Sequence, residues 1–230
     1  MIKTLLWDVD GTLLDFPAAE KYGMEKCLGE IGVTLTDEML AVYSRINRSW
    51  WEKHEKGLCT REEIFVGRLK DFFEEYGITY TDYDRFNRQY QIALGEAVFP
   101  VDDCLTLLAE LGKTCKQYMV TNGSRLAQEL KLAKSGIDKL CDGVFISEIV
   151  GIQKPEKEFF DRVQEATGYV KEETLIVGDS LSSDIKGGNN AGIKTCWYNP
   201  KGKPLAAGIT ANYIASNFDE VLRVIERGEL

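Results

Sequence analysis

A single histidine, His54, stands in the 230-residue chain. That scarcity excludes zinc sites built on several histidines, and phosphoryl transfer through paired histidines. Alone, His54 is expected on the solvated face of a helix. Positive charge is also short: 28 Lys and Arg against 37 Asp and Glu leave a formal net charge of −9. This argues against a nucleic acid as partner, because its phosphate backbone would be repelled. A small anionic substrate fits only where a metal or local cations override the overall field. No apolar run approaches the roughly 20 residues needed to cross a bilayer, and the chain opens on a strand rather than a signal peptide. No membrane partner is therefore expected, and the location expected is cytoplasmic. The six cysteines, Cys27, Cys59, Cys104, Cys115, Cys141 and Cys196, contain no C-x-x-C pair. All but Cys59 fall in apolar patterns, so they read as free thiols of a reducing compartment. Internal repeats and low-complexity segments are missing too. What remains, 44% hydrophobic and 28% charged residues, is the composition of an ordinary globular protein. Its length suits one sizeable core, or a core with a smaller insert.

The stretch that organises the rest is Leu5-Leu6-Trp7-Asp8-Val9-Asp10-Gly11-Thr12-Leu13-Leu14-Asp15. Ile2 to Trp7 reads as a buried strand running into a loop. Ligands of open α/β sheets bind beyond the carboxyl ends of strands, which is where Asp8 and Asp10 fall. Two carboxylates one residue apart repel unless a cation or a shared proton relieves them. With a divalent ion they suit metal-assisted phosphoryl transfer, in which one attacks and the other moves a proton. The plain alternative is a strand ending in a polar turn.

From Pro17 to about Phe99 the spacing predicts four amphipathic helices. Their stripes are Met24/Cys27/Leu28/Ile31, Met39/Tyr43/Ile46/Trp50, Phe65/Leu69/Phe72/Phe73/Tyr76 and Tyr83/Phe86/Tyr90/Leu94, with Gly32, Gly57 and Gly77 near helix ends. After Pro100 strands alternate with helices. Strands are expected at Gln117–Thr121, Gly143–Ser147, Thr174–Val177, Ile193–Tyr198 and, at an edge, Tyr213–Ala215. That rhythm predicts an α/β fold with a doubly wound, mostly parallel, Rossmann-like sheet. The expected domains are a catalytic core of residues 1–16 and 99–230 and a four-helix cap of residues 17–98. Lys201 to Gly208 is expected to be the most mobile loop.

Polar groups follow four of these strands: Asp8 with Asp10, Thr121 with Asn122, Lys154 in a loop, and Asp179 with Asp184. Each has an ordinary reading by itself. Thr121-Asn122-Gly123 could be a turn and helix start, Lys154 an exposed loop lysine, and Gly178-Asp179 a tight turn. Jointly those readings fail. A hydroxyl, an ammonium and three or four carboxylates would collect at one sheet edge, where only a phosphate and a metal let them satisfy one another.

The order Asp8-x-Asp10-x-Thr12, Thr121, Lys154, then Gly178-Asp179-Ser180-Leu181-Ser182-Ser183-Asp184 resembles the haloacid dehalogenase (HAD) superfamily of phosphohydrolases over the length of the chain, with the helical insert in the place of that family's cap. Ser147 to Pro155, Gly178 through Gly188 and Thr195 to Pro200 are similar to the bacterial 5′-nucleotidases that act on modified pyrimidine nucleotides. Gln153 departs from the small residue usual before the lysine. The resemblance implies a phosphomonoester hydrolase with Asp8 as nucleophile and Asp10 as general acid and base. Thr121, Asn122 and Lys154 would hold the phosphoryl group, with Gly11 and Gly123 in the same loops. It implies Mg²⁺ as cofactor, on the Asp8 carboxylate, the Asp10 main-chain carbonyl and Asp179. Asp184 would stand in or just behind that set, orienting Lys154 or a metal-bound water. Asp10 argues against dehalogenation, whose enzymes lack a carboxylate there, and Asp15 reads as a residue of the link to the cap.

Trp51 lies off the core stripes, sharing a helix face with Ser44, Arg48 and Glu55. That face is either solvated or places Arg48 and Trp51 over the substrate, with the indole free to stack on a base. The expected partner is a small phosphate ester, most specifically a nucleoside monophosphate, and the expected state a monomer or weak homo-oligomer. The competing readings are a sugar-phosphate or phosphoglycolate phosphatase, a phosphomutase, a phosphoacceptor signalling module and a silent binding protein. The acid at Asp10 and the large lid oppose the signalling module, and the intact motifs oppose the binding protein.

Overall fold

The computed structural model describes residues 1–227. Six strands, β1 (Thr4–Trp7), β2 (Lys116–Thr121), β3 (Gly143–Ile146), β4 (Thr174–Gly178), β5 (Lys194–Tyr198) and β6 (Tyr213–Ala215), form one sheet in the order β3-β2-β1-β4-β5-β6. Every pairing is parallel, with Trp7 level with Met119 on one side and Val177 on the other. The chain builds outward from β1 to β3, then returns and builds outward from β4 to β6. The crevice at this reversal lies beside β1, at the carboxyl ends of its neighbours.

Strands covered on both faces are apolar throughout rather than alternating, as Thr4-Leu5-Leu6-Trp7 and Thr174 to Gly178 are. Successive side chains nevertheless point to opposite faces. Leu5 and Trp7 join a core with Leu107, Leu108, Val221 and Ile225, from α5 (Cys104–Leu111) and α10 (Phe218–Arg227). Leu6 and Ile176 join Phe159, Phe160 and Val163 of α8 (Lys157–Thr167), which follows the single turn α7 (Ser147–Val150), on the other face.

Between β1 and α5 the cap is four helices: α1 (Phe16–Glu30), α2 (Asp37–Glu55), α3 (Arg61–Glu75) and α4 (Tyr83–Glu96). Each starts on an N-cap side chain, Asp15, Thr36, Thr60 or Asp82, accepting a free backbone N–H of the first turn. Gly32, Gly57 and Gly77 follow α1, α2 and α3 with positive φ. Met24, Leu28, Tyr43, Leu69, Phe72, Phe73, Phe86 and Tyr90 form the cap's own apolar cluster. The cluster extends to Ala127 of α6 (Arg125–Ser135), the helix following β2. At this junction a side chain on Gly95 would meet Leu130 Cβ at 2.6 Å, so glycine lets α4 lie on α6.

Three local expectations are corrected. Trp50 leaves its core stripe: it is half-buried, lies against Gly67 of α3 and donates from Nε1 to Asp71 at 2.7 Å. Over the 19 residues of α2 the stripe drifts off the interface. In α3 the buried position is Ile64, while Phe65 is half-buried beneath the Arg68 guanidinium. His54 is not solvated, because the turn after α2 folds back and Cys59 O accepts its Nδ1–H at 2.7 Å. Residues 181–185 form a single wide helical turn that runs into α9 (Lys186–Ala191).

Candidate active site

Asp8 follows β1 directly, its N–H bonded to Val177 O at 2.9 Å. Its Oδ1 accepts from Lys154 Nζ at 2.8 Å and its Oδ2 from Thr12 Oγ1 at 3.2 Å. Lys154 is 1% exposed and its ammonium has three acceptors: Asp8, Asp184 Oδ1 at 2.6 Å and Val120 O at 2.7 Å. Asp184, fully buried, accepts the Ser180 N–H on its other oxygen at 3.0 Å. As placed, then, Lys154 orients Asp8, and Asp184 orients Lys154.

Oxygens of Asp8, Asp179 and Asp184 lie within 4.8 Å of one another. Burial pushes the Asp8 carboxyl well above the usual carboxylate range; Asp184 and Asp179 add to this, and Lys154 opposes it. Asp179 is pushed up to about 6, first by burial and then by Asp184. Burial alone would lower Lys154, but Asp184 and Asp8 outweigh it and hold the ammonium protonated. Fully ionised, the three carboxylates would carry more negative charge than the one lysine offsets, and the raised values of Asp8 and Asp179 express that strain. A divalent cation with oxygen preference fits that deficit and that donor set.

Three glycines make the crowding feasible. A side chain on Gly178 would meet Asp184 Cγ at 2.3 Å, one on Gly11 would meet Asp179 Cγ at 2.8 Å, and one on Gly123 would meet Gln128 Nε2 at 2.1 Å. Gly11 also sits at φ +92°, a conformation that disfavours side chains. Gly11 and Gly123 therefore serve to admit Asp179 and Gln128.

Thr121 ends β2, its Oγ1 accepting the Gly123 N–H at 3.0 Å. The Asn122 side chain is committed to Lys154: its Oδ1 accepts the Lys154 N–H at 3.0 Å and its Nδ2 donates to Lys154 O at 2.8 Å. It fixes the lysine loop instead of facing outward. Asp10 stands apart from the carboxylate cluster, with its oxygens taken by Gln128 Nε2 at 2.6 Å and Lys131 Nζ at 2.5 Å. Asp15 caps α1.

A cavity of about 210 Å³ lies between core and cap, lined by Asp8, Asp10, Thr121, Lys154 and Asp179 below and by Phe16, Trp51, Glu55, Arg68 and Gln91 from the cap. Trp51 is half-buried and reaches the cavity; Arg48 is exposed and lines only the adjoining mouth, with Lys201 and Lys203 opposite. Burial raises the Glu55 carboxyl, while a hydrogen bond to Ser182 opposes the rise.

Sequence reasoning missed three groups. Gln128 and Lys131 are an i, i+3 pair on α6 that looks like any polar helix face. Arg61 opens α3 and crosses to the core, donating to Asn122 O (3.0 Å), Gly123 O (3.3 Å) and Ser147 Oγ (2.7 Å). Its guanidinium also lies 5.6 Å from the Trp51 ring centre. Gln153, the departure noted in the sequence, donates to His54 O at 3.1 Å and makes a further cap–core contact.

A crevice at the strand-order reversal, four strand ends converging on one lysine and an inserted helical lid define a HAD-type fold, and residues 2–192 match the haloacid dehalogenase-like hydrolases. The chain belongs to that family. It is 37% identical to the HAD-hydrolase YfnB of Bacillus subtilis, over 97% of this chain and 95% of that one. The crystal structure of YfnB bound to magnesium superposes with a TM-score of 0.93, covering 98% and 99% of the two chains. Pyrimidine 5′-nucleotidase PynA of Streptococcus pneumoniae is 38% identical over 86% of this chain and 84% of its own. Pyrimidine 5′-nucleotidase YjjG of Escherichia coli is 29% identical over 96% of each.

Proposed function

We propose that this hydrolase is a Mg²⁺-dependent phosphatase that works through an aspartyl phosphate on Asp8 and acts on pyrimidine nucleoside 5′-monophosphates. The observation that carries the reading is the bond from Lys154 to both Asp8 and Asp184 inside a carboxylate cluster too negative for one lysine. A nucleophile held at a strand end, in a cluster of three carboxylates offset by one lysine, is suited to a dianionic phosphoryl group accompanied by a metal.

Asp8, Asp179 and the Asp10 main-chain carbonyl would hold Mg²⁺, with Asp184 behind them. Bound there, the ion supplies Lewis-acid polarisation of the phosphoryl oxygens. An Asp8 oxygen attacks phosphorus as the bond to the leaving oxygen breaks, and Asp10 gives that oxygen a proton. Asp10 then takes a proton from water, whose oxygen attacks phosphorus and frees Asp8. Thr121 and Lys154 face the same cavity and would steady the transferring group. The lid excludes water while it is closed, and the magnesium-bound YfnB structure is one that reveals interdomain movement.

Support for pyrimidine nucleotides comes from the names of the two nucleotidase relatives and from Trp51 reaching the cavity. The test is a panel of nucleoside monophosphates, sugar phosphates and phosphoglycolate, with and without Mg²⁺, read by phosphate release. Pyrimidine deoxynucleotides should rank first and Mg²⁺ should be required. A sugar phosphate exceeding every nucleotide would overturn the substrate assignment alone. Undiminished turnover after exhaustive chelation would overturn the metal.

A further inference from the structure

Asp10 is the group the proposed chemistry asks to move protons, yet neither of its two side-chain hydrogen bonds comes from a motif residue. Both come from α6. Lys131 Nζ meets Oδ1 at 2.5 Å and Gln128 Nε2 meets Oδ2 at 2.6 Å, so each oxygen has its own donor and the plane of the carboxylate is fixed. Lys131 is 1% exposed and Gln128 fully buried. The Gln128 Oε1 atom is itself buried without a hydrogen-bond partner. A buried amide that leaves its own oxygen unpaired while presenting its nitrogen to Asp10 is placed at a cost to stability. Gly123 contributes to this placement, since any side chain there would occupy the position of Gln128 Nε2. Both donors line the cavity beside Asp10.

We infer that Lys131 and Gln128 are positioning residues, which hold the Asp10 carboxylate where it can exchange a proton with the leaving group and then with water. Asp10 sits on the loop after β1, with no secondary structure of its own beyond a single bridge to Leu14. Its side chain would otherwise sample several rotamers. The two donors rise one turn apart from a rigid helix whose N-cap, Ser124, adjoins the Thr121-Asn122-Gly123 loop. One element therefore registers the proton carrier against the phosphoryl-binding loop, and a displacement of about 1 Å in such an arrangement costs on the order of 100-fold in rate.

This inference rests on the phosphatase reading, with Asp10 as acid and base, and the experiment separates the two. Lys131→Met, Lys131→Arg, Gln128→Leu and Asp10→Ala would be compared in the full-length protein. Each is assayed on a nucleoside 5′-monophosphate and on p-nitrophenyl phosphate, whose leaving group needs no acid. Acid quenching reads phosphate retained on the protein. Lys131→Met should lower kcat on the nucleotide by roughly 10- to 100-fold with little change in KM. On p-nitrophenyl phosphate it should form the phosphoenzyme at a near-normal rate and accumulate it, as Asp10→Ala should more strongly. Gln128→Leu should follow the same pattern less severely, and Lys131→Arg should recover most of the loss. If Lys131→Met reduces both esters equally without accumulation while Asp10→Ala shows the asymmetry, Lys131 is only a structural ion pair and the inference fails alone. If Asp10→Ala itself shows no asymmetry, the assigned role of Asp10 fails and takes the inference with it.

Discussion

At the scale of single residues, the site is a solution to crowding. Three carboxylates and an ammonium share a buried crevice, and Gly178 and Gly11 stand where a Cβ would collide with Asp184 and Asp179. Gly178→Ala should place its methyl within 2.3 Å of Asp184 Cγ and push that carboxylate off Lys154. Overpacking of this kind destabilises by about 1–3 kcal/mol, which denaturant unfolding would read, and turnover should fall with it. Unchanged stability would show that Asp184 yields freely. Asp8→Asn keeps the shape of the nucleophile and the acceptor for Lys154 while removing its charge. Turnover should drop to background with far-UV circular dichroism and substrate affinity retained, and a fully active Asn variant is incompatible with attack by Asp8.

At the scale of elements, the helices and strands were legible because their apolar residues repeat at 3.6 or run unbroken, and the site because its polar residues fall just past strands. Asp8 and Asp179 follow their strands directly and Thr121 ends its own, whereas Lys154 and Asp184 lie farther along the chain and were drawn in only by the other groups at the same sheet edge and by the family resemblance. Lys131, Gln128 and Arg61 were not legible, for one shared reason. A polar residue on a helix reads as solvated until the neighbour it faces is known, and no spacing reveals that α6 faces Asp10 or that the start of α3 faces the loop after β2. Trp50 shows the same limit, since drift along α2 carries it off the cap's apolar cluster. Arg61 leads to an element-scale prediction. Arg61→Ala removes three donations to the core, so amide hydrogen exchange around residues 54–61 should accelerate and KM for the nucleotide should rise, while the sheet stays protected. Equal exchange in both proteins would mean that Arg61 does not secure the lid. Trp51 has the Arg61 guanidinium 5.6 Å from its ring centre and the His54 ring edge-on beside it, and it reaches the cavity where the proposed function stacks it on a base. Trp51→Ala should lower kcat/KM for nucleotides by about 1–3 kcal/mol and scarcely alter turnover of p-nitrophenyl phosphate; equal losses on both would remove the stacking role.

At the scale of the whole molecule, the core generates a local excess of negative charge inside a protein already at −9. Asp179, pushed up to about 6, and Asp8, also raised, bind protons more tightly folded than unfolded. Below about pH 4 both states are protonated. As pH rises from there through the folded-state values the metal-free protein loses stability, because ionising these groups is harder when folded; above about 6 Asp179 adds no further loss. A cation competes with those protons. The rise in Tm caused by Mg²⁺ should therefore be small near pH 5 and larger near pH 7.5, and an equal rise at both would exclude the cluster as the binding site. The central claim, that Asp8 carries the phosphoryl group, is tested most directly by rapid acid quench of the protein turning over a pyrimidine nucleoside monophosphate with Mg²⁺, followed by peptide mass analysis. The expected result is a transient phosphoryl adduct on the peptide containing Asp8, absent from Asp8→Asn. Rapid turnover with no label on that peptide at any quench time would contradict it.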